Sequence, residues 1–354
     1  MQTQLPWFIY ALGSGWGHLN RAVALGRAIA RQHSVVILTN SIYADRVNVW
    51  LQQRANWEPV PCLYKIPTNA SVERTQVLVQ ELLLHTPHAC LVVDTFPRGL
   101  VGELVNVLPQ QQQTTHIWVH RDLNPNYIAA KPVLEFVCSW YDAILVPGEE
   151  NVPLADLPQV IHTSPWLILN ADELPPWIEA RSYLQIPRLA SQPVPPTLLV
   201  CAAGQPAELE FFGDLTMQLT RCFPDCTVRC LAATCPPNCL PDFWITHYPG
   251  MECWLAADIV IGAAGYNTVY ECAALGIPLV AFNFPRLYDR QARRASRWTY
   301  WVQQPAEAIS AIQTLLQQKA QISAIGKPHQ PDYINGAIGA SLYIHHIHQA
   351  GGGA

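Results

Sequence analysis

The chain has 354 residues, more than one core usually accommodates and enough for two α/β domains of roughly 150 to 180 residues each. Half of it is apolar and 13% is charged, a composition that can bury a core and that excludes extended disorder. The formal net charge of −5 offers no broad basic face, so nucleic acid is not an expected partner.

In chain order, residues 7–12 form an apolar run with no basic segment before it, which reads as a first strand and not as a secretory signal. The run ends in Gly13-Ser14-Gly15-Trp16-Gly17, and 19–31 then has helical spacing. Residues 35–39, 89–93, 115–119 and 143–146 read as further buried strands, 89–93 ending at Asp94. Strands alternating with helical stretches imply βαβ units, whose parallel sheets are covered by helices on both faces.

The prolines Pro165, Pro175, Pro176, Pro187, Pro193, Pro195 and Pro196 argue against regular elements and mark a linker over 166–196. The alternation then resumes. Strands are expected at 197–202, 227–231, 244–248, 259–261 and 278–282, with a glycine turn at Gly204 after the first. The chain therefore reads as two doubly wound α/β domains, 1–165 and 197–332, joined by the proline-rich linker. Every apolar stretch is strand-sized, too short for a transmembrane helix.

Eleven cysteines are scattered without a Cys-x-x-Cys pair. The tightest group, Cys222, Cys226, Cys230, Cys235 and Cys239, is spaced loosely for zinc, so no metal site is expected. Cys90, Cys138, Cys201 and Cys272 sit in apolar segments and read as reduced, buried thiols of a cytosolic protein.

The segment richest in chemistry is Gly262-Ala263-Ala264-Gly265-Tyr266-Asn267-Thr268-Val269-Tyr270-Glu271. An apolar strand runs into small residues, which let a ligand approach the backbone, and a helix follows from about Asn267. The free N–H groups of that helix start, with its macrodipole, favour an anion such as a diphosphate. Asn267 or Thr268 is expected to cap the helix or to donate to a phosphate oxygen. Glu271 follows one turn later on their face, where a carboxylate can accept from two adjacent ribose hydroxyls. On the residues alone, an ordinary strand–turn–helix with a surface glutamate would read the same way.

This segment resembles the donor-binding signature of GT-B glycosyltransferases. It is similar to the plant secondary-product type, with its His-Cys-Gly-Trp-Asn-Ser-x-x-Glu core. It is also similar to the bacterial enzyme that adds N-acetylglucosamine to the peptidoglycan lipid precursor. Gly265, Tyr266, Asn267, Thr268 and Glu271 match in kind and spacing, and Gly276-Ile277-Pro278-Leu279-Val280 and Asp289-Arg290-Gln291 continue the match.

The resemblance implies two Rossmann-like domains facing a cleft that closes around the substrates. It implies an inverting, metal-independent transfer from a nucleotide sugar, UDP-linked, that serves as co-substrate with no further cofactor. The implied acceptor is a hydroxyl, lipid-linked in the bacterial case, which would place the protein in the cytoplasm at the inner face of the membrane. Asp289 and Gln291 would lie by the donor sugar and the Gly204 loop by the phosphates. Tyr248 would stack on or edge the nucleobase, or else be a strand-end tyrosine of the core. A C-terminal helix over 333–349 would pack back on the first domain. Ala263 stands where the plant type has a phosphate-contacting histidine and Ala292 where the bacterial enzyme has a second glutamine, so the donor sugar stays open.

The loop Gly13-Ser14-Gly15-Trp16-Gly17-His18 lacks the spacing of a dinucleotide fingerprint, and residues 35–39 end in Asn40 instead of an acid for the ribose. In GT-B enzymes a glycine loop here is followed by a histidine at the helix start. Gly15, Gly17 and His18 are of that kind, and His18 is expected to take the proton of the acceptor hydroxyl. Asp94 is the expected partner that orients it, as in the plant-type enzymes, or else caps the next helix; Asp122 is the reserve partner. Arg121 follows a strand and is expected on the acceptor side. Of Arg286, Arg290, Arg293, Arg294 and Arg297, one or two are expected at the diphosphate and the rest on a solvated helix face. A nucleotide-sugar epimerase or hydrolase, or a non-catalytic binding protein, could use the same donor site.

Overall fold

The computed structural model describes residues 5–56, 58–187, 194–322 and 332–351. The chain divides into two compact units. The first comprises 1–168, 287–289 and 334–354, and the second 169–286 and 290–333.

The first unit is built on a seven-stranded parallel sheet. Its strands are β1 (Trp7–Tyr10), β2 (Val35–Thr39), β3 (Cys62–Lys65), β4 (Cys90–Asp94), β5 (Thr115–Val119), β6 (Ala143–Pro147) and β7 (Val160–Thr163). Their spatial order is β3-β2-β1-β4-β5-β6-β7. Helices α1 (Trp16–Ala30), α2 (Ala44–Arg54), α3 (Val72–His85), α4 (Pro125–Ala130) and α5 (Val133–Trp140) lie between them in sequence. Strands β1, β4, β5 and β6 are buried along their whole length, which explains their continuous apolar runs. The strand order reverses between β1 and β4, and in open α/β sheets ligands gather beyond the carboxyl ends of such a pair.

The second unit repeats the plan with α6 (Trp177–Tyr183) ahead of the sheet. Its strands are β8 (Thr197–Cys201), β9 (Thr227–Leu231), β10 (Trp244–Ile245), β11 (Ile259–Ala263), β12 (Leu279–Phe282) and β13 (Tyr300–Val302). The helices are α7 (Pro206–Cys222), α8 (Met251–Trp254), α9 (Tyr266–Leu275), α10 (Gln291–Trp298) and α11 (Pro305–Ile322). Strand order is β10-β9-β8-β11-β12-β13, all parallel, so the reversal falls between β8 and β11.

The stretch expected to be a bare linker is structured. Trp166, Leu167, Ile168 and Leu169 are buried, and residues from Leu169 onward belong to the second unit. Pro175 and Pro176 do not prevent α6; they precede it, where proline's fixed φ and missing N–H cost a helix nothing. Ala180 and Leu184 then bury its inner face. Residues 188–193 of that linker, Pro193 among them, lie outside the described residues.

The last helix, α12 (Gly336–Gly351), is part of the first unit and packs on α1. Asn335 fixes its start by exchanging two hydrogen bonds with the backbone of Leu167: Leu167 N donates to Oδ1 at 3.0 Å and Nδ2 donates to Leu167 O at 2.7 Å. A Cβ at Gly336 would come 1.8 Å from the carbonyl oxygen of Ser164, so the helix start seats this closely only on glycine. No helix of the described residues is long and apolar enough to cross a membrane.

Candidate active site

In the first unit, the loop after β1 and the end of β4 meet at the strand-order reversal. Asn40, which ends the second buried run without the acid of a dinucleotide site, has another task. Its Oδ1 accepts from Gly13 N at 2.7 Å and pins the glycine loop. A Cβ at Gly13 would approach His18 Cδ2 to 2.3 Å, so glycine there is what lets the imidazole fold back over the loop. Gly15 is the N-cap of α1, and His18 is the third residue of that helix.

His18 Nδ1 donates to Asp94 Oδ2 at 2.6 Å. A carboxylate only accepts, so this bond places the ring proton on Nδ1 and leaves Nε2 with its lone pair. Asp94, 2% exposed, is also gripped by Arg21, whose Nε donates to Oδ1 at 3.0 Å and whose Nη2 donates to Oδ2 at 2.7 Å. Burial alone would raise the Asp94 carboxyl, but the Arg21 charge and the His18 bond outweigh it and hold it well below the usual carboxylate range. Burial lowers the His18 imidazole, with Arg21 and Arg121 adding to the effect and Asp94 opposing it. The imidazole is therefore neutral at pH 7.

The imidazole bonds to Asp94, the expected partner, and Asp122, the reserve, is buried beside Arg121 in the chain. Arg21 was not singled out by the sequence, although its position three residues after His18 on one helix face was a signal for it. Thr95, the residue after Asp94, has φ +70°, a costly conformation for a β-branched side chain. Thr95 N donates to Val119 O at 2.9 Å and Trp118 Nε1 donates to Thr95 O at 3.1 Å, which hold it there.

An aromatic wall borders the imidazole. Phe96 stacks on His18 with ring centroids 5.6 Å apart, and Tyr127 and Tyr288 meet Phe96 edge-on at 6.2 and 5.1 Å. Tyr288 arrives with the short segment 287–289, which belongs to this unit. The same segment brings Asp289, expected at the donor sugar, to Arg121: Nη2 donates to Oδ1 at 3.1 Å, beside a backbone bridge between Leu123 and Asp289.

In the second unit the glycine turns after β8 and β11 flank the other reversal. Helix α9 starts at Tyr266, with Gly265 as its N-cap and no side-chain cap. The expected cap by Asn267 or Thr268 is therefore replaced by a glycine, because both residues already lie inside the first helical turn. Their N–H groups are among those a helix start leaves without intrahelical acceptors, and they form the anion-attracting end. Arg294, buried, donates from Nη1 to Ala264 O at 3.1 Å and lies over the Tyr266 ring, so it builds this turn. Arg286 grips Glu208 in the first turn of α7 through both terminal guanidinium nitrogens, beside Gly204. Arg290, Arg293 and Arg297 belong to the α10 region, and Arg297 lies over the Trp298 ring at 5.1 Å.

Glu271, 5% exposed, accepts from Trp254 Nε1 at Oε2, 2.8 Å away. Burial raises its carboxyl to about 7, against the lowering effect of that bond. Gln291 accepts from Phe284 N at 3.2 Å through its side-chain oxygen, which anchors the loop ahead of α10. Tyr248 is half-buried at the turn before α8, because the strand expected over 244–248 ends at Ile245. Among the thiols, Cys90, Cys230, Cys239, Cys253 and Cys272 are buried, whereas Cys138, expected inside, is exposed on α5.

No protein-family model matches the chain, and no curated protein does. Solved structures do. The glycotransferase of kitacinnamycin superposes with a TM-score of 0.58 at 13% identity, over 97% of this chain and 99% of its own. MurG of Acinetobacter baumannii gives a TM-score of 0.54 at 13% identity, over 96% and 100%. The UDP-GlcNAc 2-epimerase of Neisseria meningitidis gives 0.54 at 11% identity, over 97% and 99%. The structural neighbours are thus GT-B glycosyltransferases, with UDP-GlcNAc 2-epimerases among them, and the likeness establishes the fold of this chain as two Rossmann-like α/β units of the GT-B kind.

Proposed function

We propose that this chain is a glycosyltransferase that moves a sugar from a nucleoside-diphosphate sugar, taken as UDP-linked, to a hydroxyl acceptor. The observation that carries the reading is His18 bonded through Nδ1 to an ionised, Arg21-held Asp94, at the reversal point of a GT-B sheet. A neutral imidazole with a lone pair on Nε2 is a general base, and Asp94 stabilises the imidazolium it becomes.

The acceptor oxygen attacks the anomeric carbon as His18 Nε2 removes its proton. The bond from that carbon to the diphosphate oxygen breaks on the opposite face, with inversion, and the nucleoside diphosphate leaves with the electron pair. The first turn of α9 from Tyr266 to Thr268, after Gly265, supplies N–H groups to the diphosphate, and Glu271 accepts from the ribose hydroxyls. The chemistry as drawn needs no metal ion. Phe96, Tyr127 and Tyr288 present apolar faces to whatever acceptor reaches His18. A lipid-linked acceptor, and with it a place at the cytoplasmic face of a membrane, follows from the sequence resemblance.

A nucleotide-sugar epimerase is the second reading, supported by a Neisseria neighbour whose TM-score equals that of MurG. A thermal-shift screen of UDP-, GDP- and TDP-sugars, followed by acceptors with the best donor, tests the proposal. Failure of every nucleotide sugar to raise the melting temperature would contradict it.

A further inference from the structure

We propose that Trp254 is a positioning residue for donor recognition. Its indole N–H holds one oxygen of the Glu271 carboxylate and so presents the other to the ribose of a bound nucleoside diphosphate. This rests on the ribose-binding reading of Glu271 given above.

Glu271 lies on α9, one turn beyond the anion-attracting N-terminus, and Trp254 ends α8. Both are buried, and the 2.8 Å bond from Nε1 to Oε2 is the one hydrogen bond the Glu271 side chain makes among the described residues. Oε1 is left without a partner. With Oε2 tied and Oε1 untied but not sealed from solvent, the carboxylate keeps an acceptor that a ligand can reach. Vicinal ribose hydroxyls are donors that would complete it.

The indole suits this task because it can only donate. It fixes Oε2 as an acceptor whatever the ionisation of Glu271, so any proton the acid carries must sit on Oε1, the oxygen meant for the ribose. Protonation therefore removes the very acceptor the donor needs. The titratable groups that feel the Glu271 charge are Cys201, Cys272 and Tyr333, each raised by burial and neutral at pH 7. None of them supplies a positive charge, so the Trp254 bond is what opposes the cost of burying the carboxylate. Aromatic packing alone would not require an N–H aimed at an acid.

The test uses the full chain and UDP as the probe, with affinity measured by calorimetry from pH 6 to pH 9. Trp254→Phe keeps the ring in the core and deletes the N–H. Its UDP dissociation constant is expected to rise about tenfold at pH 7, the value of a lost hydrogen bond to a charged group. The acid limb of its binding profile is expected to move up by about one pH unit, so that much of the loss is recovered at pH 9. Trp254→His, which retains a ring N–H, is expected to keep the limb nearer its original place, and it carries the test if Trp254→Phe does not fold. A Trp254→Phe protein with unchanged affinity and an unchanged limb overturns the proposal. So does a folded Trp254→His protein whose limb moves as far as loss of the bond requires.

Glu271→Gln separates the two levels. If wild-type protein binds UDP and Glu271→Gln weakens it while Trp254→Phe does not, only the role of Trp254 falls. If Glu271→Gln binds UDP as the wild type does, with the same pH limb, the ribose reading of Glu271 falls with it.

Discussion

His18 Nδ1 and Asp94 Oδ2 are 2.6 Å apart, across residues that the chain delivers from two different strand ends. The bond selects the tautomer with Nε2 free to accept. His18→Ala is therefore expected to lower kcat by about 10²–10⁴-fold, the usual worth of a positioned base. Asp94→Asn should cost a similar factor by offering the ring the wrong partner and losing the charge that steadies the imidazolium. Steady-state kinetics with saturating donor measures both.

Arg21 holds Asp94 from beneath with side chains that are almost wholly buried. Removing one member of a buried pair strands the other charge, so Arg21→Ala is expected to destabilise the protein by about 3–5 kcal/mol. Arg21→Lys should restore only part of this, since an ammonium cannot make the two-point grip on both carboxylate oxygens. Urea denaturation followed by circular dichroism reads the difference.

The pH dependence should split. Glu271 is raised to about 7, and on the proposed ribose-binding role donor affinity should weaken as pH falls through 7 and the carboxylate is protonated. His18 is lowered below its ordinary value, so kcat at saturating donor should hold to a pH below about 6.5. Stability has the opposite sense for Glu271. A folded carboxyl raised above its unfolded value contributes stability that is fully present below the unfolded value and is lost as pH rises through 7. Glu271→Gln should flatten that fall in melting temperature between pH 5 and pH 8.

Gly336→Ala places a methyl 1.8 Å from Ser164 O, a backbone atom that cannot swing aside. It is expected to cost about 1–3 kcal/mol and to loosen α12 from α1. Faster amide hydrogen exchange along α12 than elsewhere in the first unit would register the loosening.

The chain's alternation of buried strands and helices made both doubly wound sheets legible, because β4, β8 and β11 are buried on both faces and read as apolar runs. Strands β3, β7 and β13 are sheet edges with half-exposed residues, so no such run marks them. The linker was misread because proline was counted against structure without asking whether it sat at a helix start, where it does no harm. The pairing of His18 with Asp94 was foreseen from a histidine at a helix start after a glycine loop and an aspartate at a strand end, and Arg21 was within reach by helix spacing. Trp254 was not: a contact between α8 and α9 depends on packing, which spacing along the chain does not encode. The pairing of Asp289 with Arg121 was hidden for the same reason, since it depends on where residues 287–289 settle.

Release of nucleoside diphosphate from a nucleotide sugar, followed by mass spectrometry with and without a hydroxyl acceptor, tests the central claim most directly. The account predicts release that depends on the acceptor, a product heavier than the acceptor by one sugar residue, and loss of both in His18→Ala. Release without acceptor, or sugar isomerised on the intact donor, with His18→Ala unaffected, would contradict it.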